Sequence, residues 1–94
     1  MRVEFSRTAS KSLNKVPAHI KTKLLGWVDV VEQHGIYEAR KSKGYHDEPL
    51  KGEKTGLRSI RLSDKWRAEY SEHSDSGAIE LILVEEVHAH AYKK

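Results

Sequence analysis

The opening segment "RVEF" alternates, with Val3 and Phe5 on one side of an extended chain and Arg2 and Glu4 on the other, so a short first strand is expected. Ser6 then offers a hydroxyl to cap a short helix carrying Ala9 and Leu13 inward. Pro17 suits the first position of a second helix, in which Ile20, Leu24, Trp27, Val28 and Val31 recur at helical spacing until Gly35 supplies a stop. This helix is the best-defined element in the sequence, and its Trp and Val residues read as core. Gly26 in its interior points to close packing against a sheet.

From Ile36 to Thr55 periodicity fades. "YEARKSK" allows a further helical turn, while "GYHDEPLKGEKTG" reads as a loop, and long loops retained by small domains are more often functional than idle. Three strand candidates follow: "LRSIRLS", "WRAEYSE" and the nearly continuous apolar run "AIELILVEEV", with "HSDSG" as the turn before the last. The run is expected to be a central strand buried on both faces. The order β-α-α-β-β-β describes an α+β domain, two N-terminal helices packed on a small, mostly antiparallel sheet. The whole chain, 1–94, is expected to be a single domain, because its 94 residues bury only about 60–70% of the unfolded surface.

Alternation also fixes a register. Ile60 and Leu62 face inward on one strand, and Trp66, Ala68 and Tyr70 do so on the next. For both sets to share a core, Leu62 must lie opposite Trp66, leaving Ser63, Asp64 and Lys65 as a three-residue loop. Arg61 then falls opposite Arg67 on the other face. Like charges opposed across a strand pair destabilise it, so folding gains nothing from this placement. An anion between the two would turn repulsion into charge-assisted contacts, and guanidinium groups are well shaped to grip phosphate. Glu69 on the same face is the carboxylate that would neutralise the pair instead.

Charge supports the anion. Residues 40–67 carry nine basic side chains against four acidic ones, whereas residues 68–92 carry six acidic and no Lys or Arg. Such a basic block fits a polyanionic partner. The absence of cysteine excludes disulfides and thiolate metal sites. No stretch has the length of a membrane span and the N-terminus lacks a signal-peptide core, so a cytoplasmic protein with no membrane partner is expected.

Lys51, Lys54, Arg58 and Lys65 flank the arginine pair and read as further phosphate contacts, with His46 nearby. Glu48, three residues before Lys51, is a carboxylate at the rim of a cationic cleft, able to accept a proton. At the far end, "VHAHAY" offers His88, His90 and Tyr92 on one side of an extended chain, and histidine can serve as a general acid. The His-x-His spacing also occurs in metal sites, but no third ligand accompanies it, and neither metal nor cofactor is expected. Base, phosphate grip and acid together describe attack of an RNA 2′-hydroxyl on its neighbouring phosphate.

The segment "EPLKG…TG…SIRL…WRAEY", followed by "VEEVHAHAY", resembles the RelE superfamily of type II toxins, especially its YoeB-like and HigB-like branches. The resemblance implies a ribosome-dependent mRNA endonuclease, an mRNA interferase, that cuts codons in the A site of the 70S ribosome and is silenced by a cognate antitoxin. In HigB-like relatives that antitoxin is often a helix-turn-helix, HigA-like protein. The resemblance also implies roles: Glu48 as general base, Lys51 as a transition-state contact, Arg61 and Arg67 on the phosphate, His90 as acid with His88 as rival, and Tyr92 stacking on a base. The adjacent His-Tyr ending of YoeB-like members is replaced here by a spaced His90 and Tyr92. ParE-like proteins share the fold, poison DNA gyrase and lack the nuclease site; they are the main alternative, with a non-catalytic RNA-binding module after them.

Overall fold

The structure, a computed structural model, describes residues 1–74 and 76–89. The expected site residues His90 and Tyr92 lie outside the described residues. Strand β1 (Arg2–Phe5) leads into helices α1 (Arg7–Leu13), α2 (Ala18–His34) and α3 (Ile36–Arg40), followed by strands β2 (Glu48–Pro49), β3 (Arg58–Arg61), β4 (Trp66–His73) and β5 (Leu81–Ala89). Among the described residues these strands form one sheet in the order β1-β5-β4-β3-β2, antiparallel except where β1 runs parallel to β5. The α+β expectation holds. Beyond it come α3, the edge strand β2 and two 3-10 turns, Lys43–Tyr45 and Gly52–Lys54, all in the stretch where side-chain periodicity is weak.

Ser6 caps α1 as the sequence implies, accepting from the Ala9 N–H at 3.0 Å. Its hydroxyl also donates to the Glu85 carbonyl at 2.7 Å, which fastens the helix start to β5. Pro17 precedes α2 as its N-cap instead of occupying the first turn. Ile20, Leu24, Trp27 and Val31 of α2 are fully buried and meet Ile60, Ala68, Tyr70, Ile82, Val84 and Val87 from the sheet in one core. The Trp27 and Tyr70 rings stand 5.2 Å apart at a tilt. Gly26, by contrast, is on the exposed side of α2, where a methyl group would rest 3.7 Å from the Tyr45 hydroxyl. It does not admit the sheet.

Strand β5 lies inside the sheet between β1 and β4, the middle strand being β4, and it is buried on one face and only half-buried on the other. Ile82, Val84 and Val87 all point inward although 84 and 87 have opposite parity. A bulge resolves this: Glu69 pairs with Glu86 but Tyr70 pairs with Val84, leaving Glu85 as the extra residue.

The core side of the sheet also holds a charge cluster that hydrophobic patterning does not reveal. The Asp47 side chain is 1% exposed. It accepts from Arg58 Nε at 2.7 Å and from the Tyr70 hydroxyl, and Arg40 Nε lies 3.9 Å away. Arg40 in turn donates to the Tyr70 hydroxyl at 3.3 Å and pairs with Glu72. Burial, reinforced by donation to Asp47, pushes the Tyr70 phenol well above its ordinary value. One carboxylate thus ties the 41–50 connection to α3, β3 and β4.

Breaking a buried pair by removing one partner typically costs about 3–5 kcal/mol. Asp47→Ala is therefore expected to lower the urea-unfolding free energy by about that much, since it leaves Arg58 without its carboxylate beneath the loop. A loss within the range of ordinary surface substitutions would show that the cluster holds nothing together.

Candidate active site on the open face of the sheet

The predicted register is present. Ile60 pairs with Ala68 and Arg61 with Arg67, while the Leu62 N–H donates to the Trp66 carbonyl at 2.9 Å. Ser63 closes the three-residue loop by accepting from the Trp66 N–H at 3.1 Å. On the face away from the helices, the side chains fall into two cross-strand rows. Arg61, Arg67 and His88 form one, through the pairs Arg61–Arg67 and Arg67–His88. Glu48, Ser59, Glu69 and Glu86 form the other. A cationic row lies beside an acidic one.

Between them is a cleft of about 440 Å³, lined by His46, Glu48, Leu50, Lys54, Ser59, Arg61, Arg67, Glu69 and His88. Its volume falls within the range of small-ligand pockets. Arg67 arches over the β3–β4 loop, its Nη1 donating to the Asp64 and Trp66 carbonyls, each at 3.1 Å. Glu48 enters from edge strand β2, directly opposite Ser59. His46 Nε2 stands 3.7 Å from Glu48 Oε2, and both side chains are more than half exposed. His46 is the one non-glycine residue with positive φ among the described residues, at φ 47° and ψ 51°. That left-handed turn reverses the chain between Tyr45, which packs on α2, and buried Asp47; such strain concentrates at functional sites.

The floor of the cleft is Glu69, 4% exposed. Lys54 Nζ donates to its two oxygens at 3.0 and 2.8 Å, and His88 Nε2 lies 2.8 Å from Oε2. Burial works to raise the Glu69 carboxyl, but the bonds from Lys54 and His88 outweigh it and hold the group below the ordinary glutamate value. The same bond to Glu69 holds the Lys54 ammonium above its usual range. Glu69 therefore does not neutralise the arginine pair, as the sequence allowed; its partners are Lys54 and His88.

Several expected contacts lie elsewhere. Arg58 belongs to the inward set of β3, opposite Tyr70 and bonded to Asp47, so it is not a phosphate contact: two-residue alternation puts it on the opposite face from Arg61. Lys54 is in the cleft, yet its charge is spent on Glu69. Lys51 and Lys65 are exposed in loops and outside the lining. Tyr45 donates to the Lys23 carbonyl at 3.2 Å, on the α2 side. Sequence reasoning missed Ser59 and Leu50 in the lining, although alternation from Arg61 places Ser59 there. Among the described residues no group of three His, Cys, Asp or Glu side chains is arranged to hold a metal ion, and no helix is long and apolar enough to cross a membrane.

This architecture is similar to that of solved RelE, YoeB and YafQ proteins. YafQ from E. coli superposes with a TM-score of 0.72 at 21% identity, over 95% of this chain and 93% of that one. The YoeB dimer from Staphylococcus aureus gives 0.67 at 19% identity, covering 97% and 98%. A RelBE toxin–antitoxin complex from Mycobacterium tuberculosis gives 0.65 at 20%, covering 94% and 95%. The chain has the RelE-like fold. No protein-family model matches the sequence, and no curated protein does.

Two outcomes follow from the electrostatics. Because the Glu69 carboxyl is depressed in the folded state, its contribution to stability is present above the ordinary glutamate value near 4.5 and is lost as pH falls through the lower folded value. Glu69→Gln should flatten that acid limb of the stability–pH curve measured by thermal unfolding; an unchanged limb would contradict the pairing. Arg61→Ala should leave stability within about 0.5 kcal/mol or raise it slightly, since it relieves an opposed like-charge pair. A large loss would mean that Arg61 is held by a stabilising partner.

Proposed function

We propose that this protein is the toxin of a type II toxin–antitoxin pair and a ribosome-dependent mRNA endonuclease. The observation that carries the reading is that Arg61, Arg67, Glu48 and His88, from four different strands, line one cleft on the open face. Arg61 opposes Arg67 across the hairpin while Arg67 also braces the loop through the Ser63, Asp64 and Trp66 carbonyls. A phosphodiester at this spot would offset the like-charge opposition with charge-assisted contacts.

In this mechanism Glu48 takes the proton of the 2′-hydroxyl, whose oxygen attacks the adjacent phosphorus. Arg61 and Arg67 hold the non-bridging oxygens and stabilise the charge that grows on the phosphorane. His88 protonates the departing 5′-oxygen, leaving a 2′,3′-cyclic phosphate and a 5′-hydroxyl. His88 is assigned the acid because it stands beside Arg67 within the cleft. Among the described residues, the cleft lining includes no Phe, Tyr or Trp side chain to stack a base. The ribosomal A site supplies the positioning of the mRNA for in-line attack, which this small surface does not. A cognate antitoxin covering the cationic row is the natural partner in the uninhibited cell, as the toxin–antitoxin complex among the structural relatives suggests.

The test is single-turnover cleavage of mRNA on programmed ribosomes, with 5′ ends mapped to nucleotide resolution. Codon-phased cuts are expected from the wild type, and Glu48→Gln and Arg67→Ala should each slow them by about 100-fold or more. Wild-type rates in both variants would remove the mechanism. Uncut mRNA together with inhibited DNA gyrase would establish the ParE-like alternative, and salt-dependent RNA binding without cuts would establish a binding module.

A further inference from the structure

The mechanism above leaves a buried charge without a task. Glu69 sits at the floor of the cleft with both oxygens engaged, Oε1 by Lys54 at 3.0 Å and Oε2 by Lys54 and His88 at 2.8 Å each. It also faces Glu86 directly across the β4–β5 pair, a like-charge opposition that Lys54, 4.0 Å from Glu86, only partly offsets. Stability offers weak grounds for such a group, because buried ion pairs are often no better than apolar side chains of similar volume.

Its geometry toward His88 is specific. His88 lies opposite Arg67, yet its ring reaches diagonally to the next row and places Nε2 on the carboxylate. A carboxylate only accepts, so Nε2 carries the hydrogen and donates to Glu69. Nδ1 is then the nitrogen left for chemistry. The residues that face the ring are Glu69 and Arg67 from β4, Glu86 from its own strand and Lys54 from the preceding 3-10 turn.

Resting on the nuclease reading, we propose that Glu69, held by Lys54, is the positioning residue of the acid: it fixes the orientation and tautomer of His88 so that Nδ1 delivers the proton to the leaving 5′-oxygen. In that step the imidazolium N–H bond at Nδ1 breaks and an O–H bond forms on the 5′-oxygen as its bond to phosphorus breaks. The ring ends neutral, with the Nε2–H still on Glu69. The carboxylate also counters the imidazolium before transfer, next to two guanidinium groups that oppose it.

A leaving-group substitution tests this. An mRNA with sulfur bridging phosphorus and the 5′-carbon at the scissile linkage expels a thiolate and needs no proton. On programmed ribosomes Glu69→Gln should cut ordinary mRNA about 10- to 100-fold more slowly than wild type, the scale of lost supporting partners. It should cut the sulfur-bridged mRNA at close to the wild-type rate, and Glu69→Asp should recover part of the loss on ordinary mRNA. In parallel, the His88 Nε2–H signal in long-range proton–nitrogen spectra should be retained by wild type and lost in Glu69→Gln. Equal slowing on both substrates, or no slowing on either, would overturn the role of Glu69 while leaving the nuclease reading intact. Failure of the wild type to cut either mRNA would overturn the nuclease reading and this inference with it.

Discussion

The site depends on a register, and the register depends on burial. Ile60 and Leu62 on one strand and Ala68 and Tyr70 on the next are all buried, so the β3–β4 hairpin has to close with three loop residues. A slip by one residue would turn the whole inward set to solvent, a loss of several buried side chains at about 1.5–3 kcal/mol each. No repulsion between surface charges approaches that. The hydrophobic core therefore sets Arg61 opposite Arg67 in the ladder, and the open face inherits a cationic spot made by packing on the other side.

What brings Glu48 to that spot is different in kind. Glu48 sits on a strand of two residues, too short to hold itself. Its neighbour Asp47 is the anchor, buried under the loop among Arg58, Tyr70 and Arg40. The two adjacent carboxylates thus divide labour by alternation. Asp47 points into the core and fixes the loop; Glu48 points out into the cleft, opposite Ser59. Arg58 and Arg61 repeat the division on β3, one structural and one at the site. The basic block is not a uniform positive surface, because Arg40, Lys54 and Arg58 are engaged by the carboxylates of the architecture that displays the rest.

These divisions explain what the sequence disclosed. The four longer strands, both N-terminal helices, the Ser6 cap and the Arg61–Arg67 register were legible because two-residue and 3.6-residue periods state directly which side chains share a face. Alternation equally contained the position of Arg58, but counting local charge drew it into the phosphate set. The Asp47 cluster and the Lys54–Glu69–His88 group were not legible, since each joins residues more than ten positions apart through side chains whose partners only the folded sheet selects. The bulge at Glu69 and Tyr70 was masked by the apolar run of β5, where every position looked equally buried.

In the proposed function the opposed arginines hold a phosphodiester. A double-mutant cycle on Arg61 and Arg67, read by unfolding free energy in chloride and again with a saturating 2′-deoxy oligonucleotide that lacks the attacking hydroxyl, measures it most directly. An unfavourable coupling between the two residues is expected in chloride, reversing to favourable with the oligonucleotide. A coupling of the same sign and size in both conditions would contradict it.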